Sequence, residues 1–163
     1  MSTGSLGQGI SAAVGMALSA KHFCEDYRVY AMLGDGELEE GQVWEAAMFA
    51  ANKNLSNLTV FVDLNGLQID GTIEEVNSAR PVDKKFEAFG WETIEIDGHD
   101  FEQIESAVKR AQKSDKPVAI IANTVKGKGV SFMENSVGWH GKAPDDAQYE
   151  TAIKELESAL AAF

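Results

Sequence analysis

Small and apolar residues dominate residues 8–22, which predicts a buried helix. Residues 28–33 form a short apolar run that stops at Gly34 and read as a strand. Residues 41–53 set Val43, Trp44, Ala47, Met48 and Ala51 at helical spacing, and residues 59–63 form the next strand. Two Asn/Asp-to-Gly steps between Asn65 and Thr72 predict turns around a short extended piece. The alternation then repeats. Residues 81–89 open with a proline suited to a first helical turn. Residues 92–96 alternate charged and apolar side chains, as a half-buried strand does. Residues 100–113 place Phe101, Ile104, Val108 and Ala111 on one helical face, with Asp100 as the N-cap. Residues 117–125 are the most apolar strand, residues 126–142 are glycine-rich and irregular, and residues 145–162 form a closing amphipathic helix. Strands alternating with helices of this length predict an α/β fold, a parallel sheet with helices on both faces. Ligands on such sheets bind beyond the carboxyl ends of the strands.

Length and composition narrow the function classes. A chain of 163 residues favours one domain, and 44% apolar with 25% charged residues is a globular balance. Fourteen Lys and Arg against 26 Asp and Glu give a net charge of −12. Such a surface repels phosphate at long range, which argues against a nucleic acid or an anionic membrane as partner. No apolar run approaches the ~20 residues of a membrane span. The opening Met1-Ser2-Thr3-Gly4 lacks the basic and apolar regions of a secretion signal. Cys24 is the single cysteine, so an intramolecular disulfide is excluded and a reducing cytoplasm fits.

Several common chemistries lose their usual signatures. There is no GxxxxGK[ST] loop, no GxGxxG after a strand, no HExxH, no CxxC and no GxSxG elbow. The histidines at 22, 99 and 140 are too far apart for a local zinc motif. What is present is a pair of strand ends. The strand at 28–33 runs into Gly34-Asp35-Gly36-Glu37, and the strand at 59–63 runs into Leu64-Asn65-Gly66-Leu67. Adjacent strands would bring Asp35 and Asn65 together. A carboxylate and an amide oxygen are hard ligands that suit Mg²⁺, which fills its octahedron with substrate phosphates and water. Glycines beside Asp35 let backbone approach a diphosphate, and N–H groups at a helix start would receive its charge. Each turn alone is an ordinary loop feature. The pair, each member following an apolar strand, is more specific.

That pair resembles the thiamine diphosphate motif, in which GDG is followed at about this distance by an asparagine after a strand. The longer strings GDGELEEGQVWEAAMFAANKNL and VDLNGLQIDG resemble transketolase, above all its split form with separate N- and C-terminal subunits. TGSLGQGISAAVGMALSAK, FEAFGWETIEIDGHD, PVAIIANTVKGKG and VGWHGKAP are similar to the same family, so the resemblance spans nearly the whole chain.

By this resemblance Asp35, the Asn65 side chain and the backbone carbonyl of Leu67 are Mg²⁺ ligands. Two diphosphate oxygens and a water would complete the sphere. Gly34 and Gly36 would line the diphosphate, and Gly4 and Leu6 would lie near the aminopyrimidine ring. His140 would reach the diphosphate and the sugar donor, and Glu40 would join an acidic network at a subunit interface. The implied reaction moves a two-carbon ketol unit from a ketose phosphate to an aldose phosphate. The implied partner is a C-terminal, pyrimidine-binding transketolase subunit, in a homo- or hetero-oligomer. That partner supplies a glutamate to the cofactor, so the isolated chain is expected to be inactive. The family's cofactor-binding region ordinarily begins well ahead of the TGSLGQG string and carries histidines there. Residues 1–163 therefore read as a single thiamine diphosphate-binding domain shortened on its N-terminal side, with Val14, Met16 and Leu18 uncovered.

Two other readings stay open. One is a different thiamine diphosphate enzyme, such as a 1-deoxyxylulose-5-phosphate synthase, which shares the metal motif but not QVWEAAMFA followed by VDLNGLQIDG. The other is a truncated, non-catalytic scaffold. His22, Cys24 and His99 read as structural, Lys126 and Lys128 as solvated loop charges, and Trp44, Met48 and Phe49 as core or interface. Glu37 and Glu39 read as a charged helix start.

Overall fold

A computed structural model of the chain describes residues 4–161. The expectations for Met1, Ser2 and Thr3, and for residue 162 in the last helix, lie outside these residues. Four strands pair in parallel in the order β1-β2-β6-β5, with β1 at Val29–Gly34, β2 at Leu58–Leu64, β5 at Glu92–Asp97 and β6 at Val118–Asn123. A separate two-stranded hairpin, β3 (Leu67–Gln68) with β4 (Gly71–Thr72), forms the turn-rich piece after β2. The helices are α1 (Gln8–Phe23), α2 (Gly41–Asn52), α3 (Ile73–Val76), α4 (Val82–Ala88), α5 (Phe101–Ala111) and α6 (Asp146–Leu160).

Alternate residues of each strand serve opposite faces of the sheet. On one face Leu33, Val60, Val62 and Ile121 pack against Ile10 and Ala17 of α1, Val43 and Ala47 of α2, and Phe86 of α4. Ala13, Ala17 and Ala20 on α1 and Ala46, Ala47 and Ala50 on α2 are small and buried, which lets the helices lie close to each other and to the sheet. On the other face Ile94, Ile96, Val118 and Ile120 pack against Ala107 and Ala111 of α5. Helices thus lie on both faces, as expected, but α5 covers only the β5–β6 half of the second face. Over β1 that face is open, with Met32 73% and Tyr30 45% exposed. Of the three α1 residues expected to be uncovered, only Met16 is exposed. Val14 is buried and Leu18 packs against the core, because the α1 face carrying them is turned toward the sheet and α2.

Local chemistry places the element ends. Asp100 caps α5 by accepting from the N–H groups of Glu102 and Gln103 at 2.9 and 3.1 Å. Asp145 and Gln148 form a reciprocal capping box at α6. The buried Trp91 indole donates to the Ala47 carbonyl at 2.8 Å and ties the start of β5 to α2. The glycine-rich stretch after β6 is irregular, as expected, yet braced. Asn135 N–H donates to the Lys126 carbonyl at 3.0 Å, and Trp139 packs on Phe132 with ring centroids 5.2 Å apart. The backbone N–H and hydroxyl of Ser131 both donate to the Glu155 carboxylate, at 2.7 and 2.6 Å, which pins this loop to α6.

Two outcomes follow from this packing. Val118 is fully buried at the amino end of β6, so Val118→Ala should lower unfolding free energy by about 2 kcal/mol in urea titrations. The two Ser131 hydrogen bonds hold the Glu155 carboxyl below its ordinary value of 4.5. A carboxyl lowered in the folded state stabilises above its unfolded value and loses that contribution as pH falls through the folded value. The melting-temperature difference between the unsubstituted chain and Glu155→Gln should therefore be full at neutral pH and shrink below about pH 4.5.

Candidate functional site

The carboxyl ends of β1 and β2 meet because the strands are in parallel register, with Gly34 opposite Asp63. Asp35 N–H continues the ladder by donating to the Asp63 carbonyl at 3.2 Å. The next loop residues, Asp35 and Asn65, are then neighbours although 30 residues separate them in sequence. Asp35 cross-links the two loops. Its Oδ2 accepts from Gly66 N–H at 2.5 Å and its Oδ1 from Gly36 N–H at 2.8 Å. Asn65 Oδ1 accepts from Leu67 N–H at 3.0 Å, a local Asx turn that aims the amide oxygen. Gln68 of the hairpin donates to Glu39 at 2.7 Å, so the hairpin carrying Leu67 is docked onto the 3₁₀ turn at Gly36–Glu39.

Asp35 is buried, only 3% exposed. Burial is the largest influence on its carboxyl and pushes its pKa up. The N–H groups of Gly66 and Gly36 pull it back, while the charge of Asp63 adds to the upward push. Asp63 itself accepts the hydroxyl of Thr124. A divalent cation would relieve both the desolvation and the like-charge repulsion. Asn65 Oδ1 has a lone pair beyond the one used by Leu67. Among the described residues no three His, Cys, Asp or Glu side chains cluster for a metal, and a cation held here would draw on carboxylate, amide and carbonyl oxygens. That set suits Mg²⁺, which completes its shell with phosphate oxygens and water. Gly34 leaves room beside it: a Cβ built there meets no atom within 4 Å. The N–H groups of Gly34 and Gly36 donate to the carboxylates of Glu37 and Asp35, so both are already used within the protein.

The remaining expected residues are more dispersed. Gly4 and Leu6 are exposed in the turn before α1. Leu6 borders a groove that also holds Glu37, at the edge of the GDG loop. Glu40 is exposed at the start of α2 and packs its Cβ where a side chain on Gly7 would fall, 2.9 Å away. His140 is exposed on the loop after β6, at the end of a short 3₁₀ turn.

Other polar groups join the site without having been expected there. A cavity of about 540 Å³ opens on the half-covered face, lined by Asn65, Asp63, Thr124, His99 and Lys126 among apolar residues such as Met32 and Phe61. Lys126 puts a cation on the wall of the same cavity as Asn65. His99 Nε2 accepts from Val125 N–H at 2.8 Å, which ties the loops after β5 and β6 together. Glu37 is buried, and its carboxylate accepts from Gly7 N–H at 2.7 Å and Gly34 N–H at 3.2 Å. A trace of this is legible in sequence: Glu37 stands three residues after Gly34, the offset at which a glutamate reaches back to an N–H at a helix start.

Comparison with known proteins identifies the family. Residues 1–159 match the family described as transketolase, thiamine diphosphate binding domain. The 6-deoxy-6-sulfo-D-fructose transketolase subunit SqwG of Clostridium sp. (strain MSTE9) is 47% identical over 158 residues, covering 96% of this chain and 58% of the relative. An apulose-4-phosphate transketolase subunit of Actinobacillus succinogenes is 42% identical, covering 96% and 57%. The crystal structure of transketolase from Campylobacter jejuni superposes with a TM-score of 0.89 at 37% identity, over 94% of this chain and 25% of that one. The chain therefore spans somewhat over half the length of these subunit relatives and about a quarter of the full-length enzyme. On family match, fold and sequence identity alike, the chain belongs to the transketolase family, as its thiamine diphosphate-binding domain.

Proposed function

We propose that the chain holds the diphosphate and Mg²⁺ of thiamine diphosphate in a transketolase that passes a two-carbon ketol unit from a ketose phosphate to an aldose phosphate. The observation that carries this reading is the convergence of Asp35 and Asn65 at two adjacent strand ends, cross-linked through Gly66. Asp35, the Asn65 side chain and the Leu67 carbonyl would hold the metal. When bound, the cofactor supplies the electron sink for cleaving and forming the carbon–carbon bond.

The chain's own residues bind and orient. The buried Asp35 would present its carboxylate to the metal in one orientation, because that orientation is set by two backbone N–H groups. Gly34 leaves space for phosphate oxygens that a side chain would take. Lys126, which lines the same cavity as Asn65, offers a positive charge on a protein that is otherwise strongly acidic. His140, exposed on the loop after β6, is the candidate for the sugar donor, and Glu40 at the start of α2 is the candidate interface carboxylate. A second, pyrimidine-binding subunit completes the site. The relatives named as transketolase subunits support that assignment. Cytoplasmic residence completes the reading, supported by the single cysteine.

Calorimetry with thiamine diphosphate tests the reading directly. Binding should require Mg²⁺, vanish on chelation, and weaken by about 100-fold or more in Asp35→Ala. Metal-independent binding, or an unchanged Asp35→Ala, would overturn it. Gly34→Ala should fold with an unaltered melting temperature, since its Cβ meets nothing in the free protein. Its cofactor affinity should nevertheless drop. Steady-state ketol transfer should be absent from the purified chain and appear when a pyrimidine-binding transketolase subunit is added.

A further inference from the structure

Two carboxylates leave the same short turn in different directions. Asp35 reaches the loop after β2 through Gly66 N–H. Glu37 reaches the turn before α1 through Gly7 N–H at 2.7 Å, and back to the end of β1 through Gly34 N–H at 3.2 Å. Glu37 is 9% exposed and Gly7 is buried, so the carboxylate and its Gly7 donor are largely removed from water. Gly7 sits at a φ of 81°, a left-handed conformation that favours glycine, and a Cβ there would lie 2.9 Å from Glu40 Cβ. The turn that carries Gly4 and Leu6 into α1 is thus fixed against the Gly34–Glu40 loop by one buried carboxylate and one close backbone approach.

We propose that Glu37 is a positioning residue for the cofactor site. It locks the loop after β1, so that Asp35 keeps the orientation set by its bonds to Gly36 and Gly66 N–H and the Gly4–Gly7 turn stays seated on the Gly34–Glu40 loop. The inference rests on the reading of Asp35 as a metal ligand given above. Glu37 touches neither metal nor diphosphate in this role. It acts through Gly34 N–H, one residue before Asp35, and through Gly7 N–H. A carboxylate is needed rather than a filler of similar shape, because two donors converge on it. A glutamine would turn its NH₂ toward one of those N–H groups, and an alanine would leave both without an acceptor.

The test compares Glu37→Ala, Glu37→Gln and the core variant Val118→Ala with the unsubstituted chain. The measurements are apparent Mg²⁺ affinity at fixed thiamine diphosphate, by calorimetry, and amide exchange at Gly7 and Gly34 by NMR in the cofactor-free chain. Both Glu37 variants should weaken Mg²⁺ affinity by about tenfold, the lower end of what outer-shell partners contribute. Both should speed exchange at Gly7 and Gly34 together. Val118→Ala should lose stability yet keep its Mg²⁺ affinity within about twofold, because it lies at the far end of β6. Glu37→Gln at unsubstituted affinity would mean that the side chain only fills space, and would overturn the proposal. So would a lowered melting temperature in Glu37→Ala without any change in affinity. If the unsubstituted chain takes up no thiamine diphosphate at any Mg²⁺ concentration, the metal-site reading falls and this inference falls with it. If the unsubstituted chain binds and Glu37→Ala binds equally well, this inference alone falls.

Discussion

The parallel register between β1 and β2 is the constraint on which the rest depends. Pairing Gly34 with Asp63 puts two loops side by side at one end of the sheet, and Asp35 then bridges them. A slip of one residue would turn every β1 side chain to the opposite face. Leu33 would leave the α1–α2 core and Met32 would enter it. The choice of which β1 residues face the core and the position of the candidate ligand are therefore one and the same specification. Core packing, through residues such as Leu33, Val60 and Val62, fixes where the carboxylate of Asp35 stands.

Electrostatics then give that carboxylate its character. A protein with a net charge of −12 has no general attraction for a diphosphate. Binding has to come from local arrangement: a buried acid whose pKa is pushed up, a second acid in Asp63, an aimed amide oxygen in Asn65, and a lysine in the adjoining cavity. Such a pair of acids is stabilised by a divalent cation far more than by a diffuse positive surface. The backbone N–H groups of Gly34 and Gly36 are committed to Glu37 and Asp35, so these two are not free to receive an anion.

Much of this is legible in the sequence. Every strand of the main sheet and every helix of seven residues or more falls on a predicted run, read from spacing in α2, β5 and α5, from composition in α1 and β6 and from an opening proline in α4, and Asp100 announces itself as a cap. The strand ends carrying Asp35 and Asn65 are visible because apolar runs stop abruptly at glycine or asparagine. Less visible are features that depend on pairing. The short α3 at Ile73–Val76 is too brief to display a period, although Thr72 and Glu75 form a capping box in front of it. Glu37 looks like one more charge at a helix start, since burial by the turn before α1 cannot be read from neighbours in sequence. His99 and Lys126 come into the site only because β5 and β6 end on the same rim as β2. The open half of the second face is illegible too: the apolar run of β1 reads the same whether or not a helix covers it.

Because all four main strands run the same way, the candidate ligands and the strand starts lie at opposite ends of the sheet. The connections at residues 24–28, 53–57 and 112–116 lie where β1, β2 and β6 begin, and the candidate ligands lie where the strands finish. Six strand residues at roughly 3.3 Å each put about 20 Å of packed sheet between the two ends. The connection at 112–116 can therefore accept an affinity handle, a dye or a surface tether without crowding the candidate site on the opposite rim.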